Sequence, residues 1–566
     1  MNVLLCNVMH EDDMPSDFHL PLAFPYLKGY TENVLKDVTV DIKTILINRH
    51  YENQIQAIDF SGYALVGFQP SYNTIEHILE MSKLIKKDHP AAIVLGGVYA
   101  SSIGYEVLAH HLCIDYVVIG EGEISFAKLI EHLQSQRNGQ AIEGILFRNG
   151  GNEVVYHTRG KNLVDLNNLP FSRHDYLSAL PSDSFSSNSI RIESARGCLG
   201  SCSFCSNSYK YRLERYAKHW RGMDAERVVR EIKYIYTTYG ARIFNFTDPS
   251  FEDPGKKGKE RIQKIALALL DQDIRISYKV NLRCETFSRD DLELIKLLRK
   301  SGMDIAIIGI ESANENELSA LCKRSTNEQG IQMLNLLNQA GVFSLVGFIM
   351  FTPYSTLTSL KKNLEFLSHI GRLWDFNSIS NTLLVFRGTN IYHRFLSESL
   401  ISNPDDYLGL PHFTFLDNRA QKICNAFQNL KIEYPELYEL YKTLCSAHNL
   451  IVRFENRMNE HLWNYLHLVE HYRDKVLALQ DTVGNIHGQL LSYALTLGEN
   501  GGFAEPHFKH FAHELIYPSI TKYKNALETI TFDLIQELES YHLVCDTLKW
   551  QAWGSHMYER VNLAGN

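Results

Sequence analysis

About a third of the way along, the chain reads Arg196-Gly-Cys-Leu-Gly-Ser-Cys-Ser-Phe-Cys205, and this decapeptide constrains everything around it. Cys198, Cys202 and Cys205 are spaced Cys-x-x-x-Cys-x-x-Cys, with Phe204 just before the last. Three thiolates on one short loop can hold three irons of a cubane [4Fe–4S] cluster and leave the fourth without a protein ligand. An open iron can bind a substrate, whereas a fully ligated cluster only passes electrons. A structural zinc site is the competing use of clustered cysteines. Zinc takes four ligands, commonly as two short pairs, and the nearest further candidates in sequence are His174 and His219.

Residues 190–392 alternate between short apolar runs and helical stretches. The spacing predicts strands at Ile190–Ser194, Ile243–Thr247, Ile276–Val280, Ile305–Ile310, Phe343–Met350 and Ile379–Leu384. In barrels built of such β/α units, reactive groups sit at the carboxyl ends of strands. The cysteine loop follows the first strand. Thr247-Asp248-Pro-Ser250, Asn281-Leu-Arg283, Gly309-Ile-Glu311-Ser312, Gly347-Phe-Ile-Met350 and Arg387-Gly-Thr389 follow or end the others. Taken singly, each has a structural use: Asp248 as a loop cap, Arg283 as a salt-bridge partner, Glu311 as a charge at a helix N-terminus.

Residues 1–135 read as a doubly wound α/β domain. Its buried parallel strands are expected at Asn2–Val8, Val38–Ile47, Tyr63–Phe68, Ala92–Leu95 and Ile114–Ile119, with an amphipathic helix over Ile75–Lys87. Ligands of such folds sit beyond the carboxyl ends of the strands. There the chain has Gly67-Phe-Gln69-Pro70-Ser71-Tyr-Asn73, then Gly96-Gly97-Val98-Tyr99-Ala-Ser101, then Gly120-Glu121-Gly122-Glu123. Paired glycines let the backbone approach a flat ligand closely. Residues 136–189 read as a linker, with a turn at Asn149–Glu153 between short strands and an exposed serine-rich loop at 181–188.

The cysteine spacing with Phe204 resembles the signature of the radical S-adenosylmethionine (radical SAM) enzymes. The resemblance implies a [4Fe–4S] cluster on Cys198, Cys202 and Cys205 whose open iron chelates SAM, with one electron cleaving the sulfonium to a 5′-deoxyadenosyl radical. It implies SAM contacts from Phe204, Asp248, Ser250, Arg283, Glu311, Ser312 and Gly347, Arg283 meeting the carboxylate through its fork geometry. The ordered glycine loops and the stretch Leu20–Leu27 resemble the cobalamin-binding domain of one large radical SAM subfamily. Gln69, Pro70, Ser71, Gly96, Gly97, Val98, Tyr99, Glu121 and Gly122 are the cobalamin contacts this implies. Asp17-Phe-His19 departs from the Asp-x-His-x-x-Gly pattern of histidine-ligated cobalamin, because Leu22 stands in place of the glycine. The loop near Gln69–Ser71 is therefore expected below the corrin. The resemblance covers residues 1–392 and implies that the six β/α units of residues 190–392 form the partial barrel of the family, with a mostly helical domain over 393–566 beyond it.

The function it implies is methyl transfer from SAM via methylcobalamin to an unactivated carbon, or to phosphorus, of a biosynthetic intermediate. Such a carbon has no lone pair with which to attack SAM, so a radical step explains the second cofactor. Ring contraction, cyclisation and oxidation use the same parts. The methylthiotransferases of transfer RNA carry three further cluster cysteines where this chain has Cys6 and Cys113. A cobalamin sensor with a degenerate barrel is the non-catalytic reading.

Composition sets the remaining limits. A net charge of −9 argues against nucleic acid held on a basic face. No apolar run approaches the ~20 residues of a membrane span. The ten cysteines are otherwise scattered singly, which suits a reducing cytoplasm rather than a disulfide framework. Expected partners are a small-molecule or peptide substrate and an electron donor such as flavodoxin or ferredoxin. Residues 393–566 carry no chemical motif and read as helices over Ile451–Asp481, Gly488–Leu497 and Ile520–Leu548, with a flexible loop at Gly498–Pro506. In the family this region often completes the substrate site.

Overall fold

The computed structural model describes residues 1–10, 20–48, 51–135, 142–157, 163–176, 189–207, 209, 219–461, 466–499 and 503–540. His19, the serine-rich stretch 181–188 and Cys545 lie outside the described residues.

The first sheet is built from β1 (Asn2–His10), β2 (Thr39–Ile47), β3 (Leu65–Phe68), β4 (Ala92–Leu95), β5 (Tyr116–Val118), β6 (Ile145–Arg148) and β7 (Val154–Tyr156). Its strand order is β2-β1-β3-β4-β5-β6-β7. The first five strands are parallel. Runs such as Val3-Leu-Leu-Cys6 are buried because helices cover both faces of the sheet. The connection order reverses at β1, which opens a crevice beyond the carboxyl ends of β1 and β3. The two short strands read in the linker add to this sheet as the antiparallel β6 and β7, joined by the turn at Asn149–Glu153.

The chain then forms β8 (Ile190–Ile192), a hairpin of β9 (Ala195–Gly197) and β10 (Trp220–Gly222), and β11 (Ile243–Phe246), β12 (Ser277–Leu282), β13 (Met303–Glu311) and β14 (Phe343–Phe348). The second sheet is a five-stranded parallel one in the order β14-β13-β12-β11-β8. The expected sixth strand at Ile379–Leu384 is not formed. Phe376–Ser380 is a helix instead, and Asp375 starts it by accepting from Asn377 N (3.0 Å) and Ser378 Oγ (2.7 Å). One bridge, Phe351 to Thr382, is all that extends the sheet there among the described residues.

These strands are also less buried than parallel strands usually are. Along β12, β13 and β14 buried residues alternate with partly exposed ones. The buried set, such as Val280, Leu282, Ala306, Ile308 and Phe348, packs against the flanking helices. The other set, such as Asn281, Ile307, Gly309 and Gly347, faces inward and is not covered.

Three long helices, Glu436–His461, Leu466–Glu499 and Glu505–Ser540, make up most of the C-terminal third. Leu444, Leu450, Phe454 and Val469 form one cluster with Ile305, Phe343 and Trp374. Ile305 and Phe343 stand near the amino-terminal ends of β13 and β14, so the helices plug that end and leave the carboxyl end open. The second helix runs unbroken through Gly484 and Gly488, where a gap was expected. These glycines let it sit directly on Leu373 and Trp374: a Cβ on Gly484 would lie 3.2 Å from Trp374 N. It continues through Gly498, so the expected loop at Gly498–Pro506 is shorter than its composition suggests. No helix among the described residues is long and apolar enough to cross a membrane.

A buried polar network fastens the linker and the N-terminal helix to the barrel. Glu231 accepts from Tyr26 Oη (3.1 Å), Ser172 N and Oγ (2.9 and 2.7 Å) and Arg227 (2.9 Å). Ser172 Oγ also meets His174 Nε2 at 2.9 Å. Burial pushes the His174 imidazole down from 6.5 to about 3. Below about pH 6.5 the unfolded chain takes up a proton that the folded chain refuses until about pH 3, so this stabilisation is lost as pH falls through that window. The stability gap between the native protein and a His174→Gln variant should therefore narrow by about 1.4 kcal/mol per pH unit below pH 6. Urea unfolding of both proteins at pH 7, 6 and 5 measures it, and a constant gap would refute a neutral buried imidazole.

Candidate active site

The cysteine loop leaves β9 and is held by backbone from three directions. Cys198 N donates to His219 O (3.1 Å), Ser203 N to Leu321 O (2.9 Å), and Ser203 O accepts from Ile391 N (3.0 Å). At the exposed tip, Leu199 N donates to Asp253 Oδ2 (2.9 Å). Gly200 N donates to Cys198 Sγ (3.2 Å), and a Cβ on Gly200 would lie 3.2 Å from that sulfur and 4.0 Å from Cys202 Sγ. Glycine here makes room for two sulfurs. Burial pushes the Cys198 and Cys202 thiols up to about 11; Lys323 opposes this at Cys202, and Cys205 acts on both.

The donor set fits an iron–sulfur cluster. All three thiols are half-buried, mutually close and presented on one loop. Ligation requires the thiolate form, so loading releases protons.

The strand ends place the other expected residues in two groups. Asp248 is fully buried and turned toward the loop, accepting from Ser194 N (3.1 and 3.0 Å) and Ser194 Oγ (2.8 Å). Burial raises its carboxyl to about 6, with Arg261 pulling the other way. Ser250 is buried beside it, in the turn that leads to Glu252 and Asp253. Arg283, expected to meet a ligand carboxylate, is instead paired with protein carboxylates: Asp253 at 2.9 and 3.1 Å and Glu285 at 3.0 Å. Ser312 is fully buried and donates to Glu317 Oε2 (2.6 Å), so its hydroxyl braces the turn after β13.

Glu311 and Gly347 do face inward. Glu311 sits at a bulge in the β13–β14 pairing with φ of 73°, a conformation costly for a residue with a side chain and common at functional sites. Its carboxylate stands 3.6 Å from Lys323 Nζ. A Cβ on Gly309 would lie 2.3 Å from Glu311 Oε1 and 3.0 Å from Lys323 Nζ, and one on Gly347 would lie 3.7 Å from Glu311 Oε2. These two glycines clear the space in which the pair meets. Burial pulls the Lys323 ammonium down, but Glu311 and Cys202 more than offset it, and its pKa is raised. Sequence reading missed Lys323. It lies on a loop with no motif, and only the fold brings it beside Cys202 and Glu311. Phe204 packs against a cluster with Leu383, Val385 and Phe395.

The glycine loops of the N-terminal sheet line one cavity of about 390 Å³. Gln69, Gly96, Gly97, Val98, Glu121 and Gly122 all border it, and so do Arg191, Glu193, Arg196 and Thr247 from the barrel. It is therefore shared between the two sheets. Gly97 has φ of 93°, and a Cβ there would lie 2.9 Å from Gln69 Cγ, so the second loop folds directly under the first. Pro70 and Ser71 are set back from the cavity; Ser71 Oγ bonds to Asn73 and Thr74. Tyr99 points away, donating to Leu408 O in the C-terminal part.

Residues 192–367 match the family model of the radical SAM superfamily. The chain carries a radical SAM domain. An uncharacterized methyltransferase of Pyrococcus horikoshii is 25% identical over 411 residues, spanning 69% of this chain and 82% of that one. The anaerobic magnesium-protoporphyrin IX monomethyl ester cyclase of a Synechocystis species is 25% identical over 298 residues, 50% of this chain and 55% of that one. In structure, the chain is similar to the cobalamin-dependent S-adenosylmethionine radical enzyme OxsB with aqua-cobalamin and S-adenosylmethionine bound. The TM-score is 0.67 at 18% identity, covering 98% of this chain and 84% of that one. The likeness shows that all three parts of the radical SAM protein, helical third included, share one known arrangement.

Proposed function

We propose that this protein is a cobalamin-dependent radical SAM methyltransferase acting on an unactivated carbon, or phosphorus, of a biosynthetic intermediate. The observation that carries the reading is the shared cavity: its walls come from the glycine loops on one side and from the barrel strand ends beside the cysteine loop on the other. When bound, a cluster with one open iron supplies the electron that cleaves SAM, and cobalamin carries the methyl group.

The chain's own residues divide the work. Cys198, Cys202 and Cys205 hold the cluster. Lys323, beside Cys202, receives the SAM carboxylate, and Glu311 and the inward Gly347 shape the pocket for the rest of SAM. Asp248 acts through Ser194 by fixing the strand end from which the loop springs. Arg283 and Ser312 brace the turns around the pocket, and Phe204 and Ser250 pack its wall. Gln69, Gly96, Gly97, Val98, Glu121 and Gly122 line the cradle for cobalamin, while Pro70 and Ser71 support its first loop from behind and Tyr99 anchors the second loop to Leu408. A small-molecule or peptide substrate and a protein electron donor of the flavodoxin or ferredoxin type complete the system, in a reducing compartment such as the cytoplasm.

Lys323→Met should raise the KM for SAM by about tenfold or more while leaving iron content intact, the loss expected when a charged hydrogen bond is removed. An unchanged KM would move the carboxylate elsewhere. The reading as a whole is tested by incubating anaerobically reconstituted protein with SAM, cobalamin and a strong reductant. 5′-Deoxyadenosine and S-adenosylhomocysteine are then quantified by mass spectrometry. Both products are expected, the second only with cobalamin. 5′-Deoxyadenosine alone would favour the cyclisation-type reading that the similarity to the cyclase supports.

A further inference from the structure

We infer that Arg196 and Tyr209 are positioning residues that fasten the cysteine loop at both ends to the glycine cradle, so that the occupant of the cradle sets where the cluster loop stands. The inference rests on the cobalamin and radical SAM reading above.

At the first end, Arg196 lies on β9, two residues before Cys198, and is buried. Its guanidinium bonds Glu121 Oε2 (2.8 Å), Glu123 Oε1 (2.6 Å) and Glu193 Oε1 (2.6 Å), while Arg221 on β10 reaches the other oxygen of Glu121. Glu121 and Glu123 belong to the third glycine loop, and Glu121 borders the cavity. Arg196, Glu121 and Glu123 are buried, with Glu193 and Arg221 partly exposed at the edge of the cluster, so breaking one of the buried pairs leaves a charge poorly compensated. If the third glycine loop moves, the start of the cysteine loop moves with it.

At the second end, Tyr209 Oη donates to Ser101 O (3.1 Å). Ser101 is itself a knot in the cradle: its hydroxyl donates to Gly97 O (2.8 Å) and accepts from Gly120 N (3.1 Å). One residue thus ties the second and third glycine loops together and to the segment after Cys205. The Tyr209 ring has little freedom to swing away, because it lies against Gly388, where a Cβ would come within 2.2 Å of Cε2.

The test is hydrogen–deuterium exchange on the full-length, anaerobically reconstituted protein with and without hydroxocobalamin. In the native protein cobalamin should slow exchange in peptides covering 96–101 and, by about fivefold, in peptides covering 196–207, the size expected for a contact of one hydrogen bond. Tyr209→Phe keeps the ring against Gly388 and removes only the hydroxyl. In Tyr209→Phe and Arg196→Gln the slowing at 96–101 should persist and that at 196–207 should shrink, with Arg196→Lys closer to the native protein. The same variants should release about fivefold more 5′-deoxyadenosine per S-adenosylhomocysteine. Slowing confined to 96–101 in the native protein, or equal slowing at 196–207 in all proteins, overturns the inference. No slowing at 96–101 in the native protein would instead overturn the cobalamin reading beneath it. Should Arg196→Gln fail to retain iron, Tyr209→Phe alone decides.

Discussion

Cys202→Ala is expected to abolish reductive cleavage of SAM and to leave cobalamin binding intact. Loss of partners that merely orient a metal's ligands already costs about 10–100-fold in affinity or activity, so loss of a ligand itself should exceed a hundredfold. Cys202 also interacts electrostatically with Lys323, so the change removes a proposed cluster ligand and disturbs the Glu311–Lys323 pair together. Iron and sulfide per chain should fall with 5′-deoxyadenosine production, while the cobalamin absorption spectrum is retained. A variant that keeps iron and cleaves SAM would end the cluster assignment. So would native protein that returns from reconstitution with bound zinc and little iron.

Gly258→Ala should be nearly as damaging, although Gly258 is none of the expected site residues. It lies in the first turn of the helix Gly255–Asp271, and its missing side chain is what lets that turn close on the preceding loop. A Cβ there would lie 2.0 Å from Glu252 O and 2.3 Å from Asp253 C, contacts with backbone that cannot rotate away. Overpacking of this kind costs about 3 kcal/mol or more when the neighbours are fixed. The loop that must yield carries Asp253, the partner of both Leu199 N and Arg283. Lower thermal stability and lower iron retention are therefore expected together. Gly62→Ala is the control, since nothing lies within 4 Å of a Cβ at that position. A Gly258→Ala protein as stable and iron-replete as the control would show that the turn adapts.

Much of this was legible before any coordinates. Buried parallel strands announce themselves as short β-branched runs, and β4 matches its expected bounds residue for residue. The cysteine loop stood out because its three thiols lie close together in sequence. Ile379–Leu384 misled because apolarity does not distinguish a buried strand from a buried helix, and the deciding cap, Asp375, lies outside the run. Arg283 has a pairing that its neighbours in sequence do not show. Its partner Asp253 is 30 positions away, and nothing in Asn281-Leu-Arg283 reveals that the charge is already neutralised. Lys323 and Tyr209 were invisible because their importance comes wholly from what the fold sets beside them. The helical third offered periodicity without chemistry, and the stretch between Asp481 and Gly488 read as a gap until Leu373 and Trp374 were seen against Gly484.

The Arg196 cluster also bears on how such proteins can be recombined. A barrel of this kind looks like a portable cassette, with one cofactor domain in front and a helical cap behind. Transplanted onto a foreign front domain, it would carry a buried guanidinium that kept Glu193 but had left Glu121 and Glu123, two of its three counter-carboxylates, behind. Tyr26 would likewise be missing from the Glu231 network. A successful chimera must therefore bring the third glycine loop with its two glutamates and the first helix with its tyrosine, or repaint both contacts as apolar. The cut points of a working fusion follow buried charge rather than the gaps between sheets.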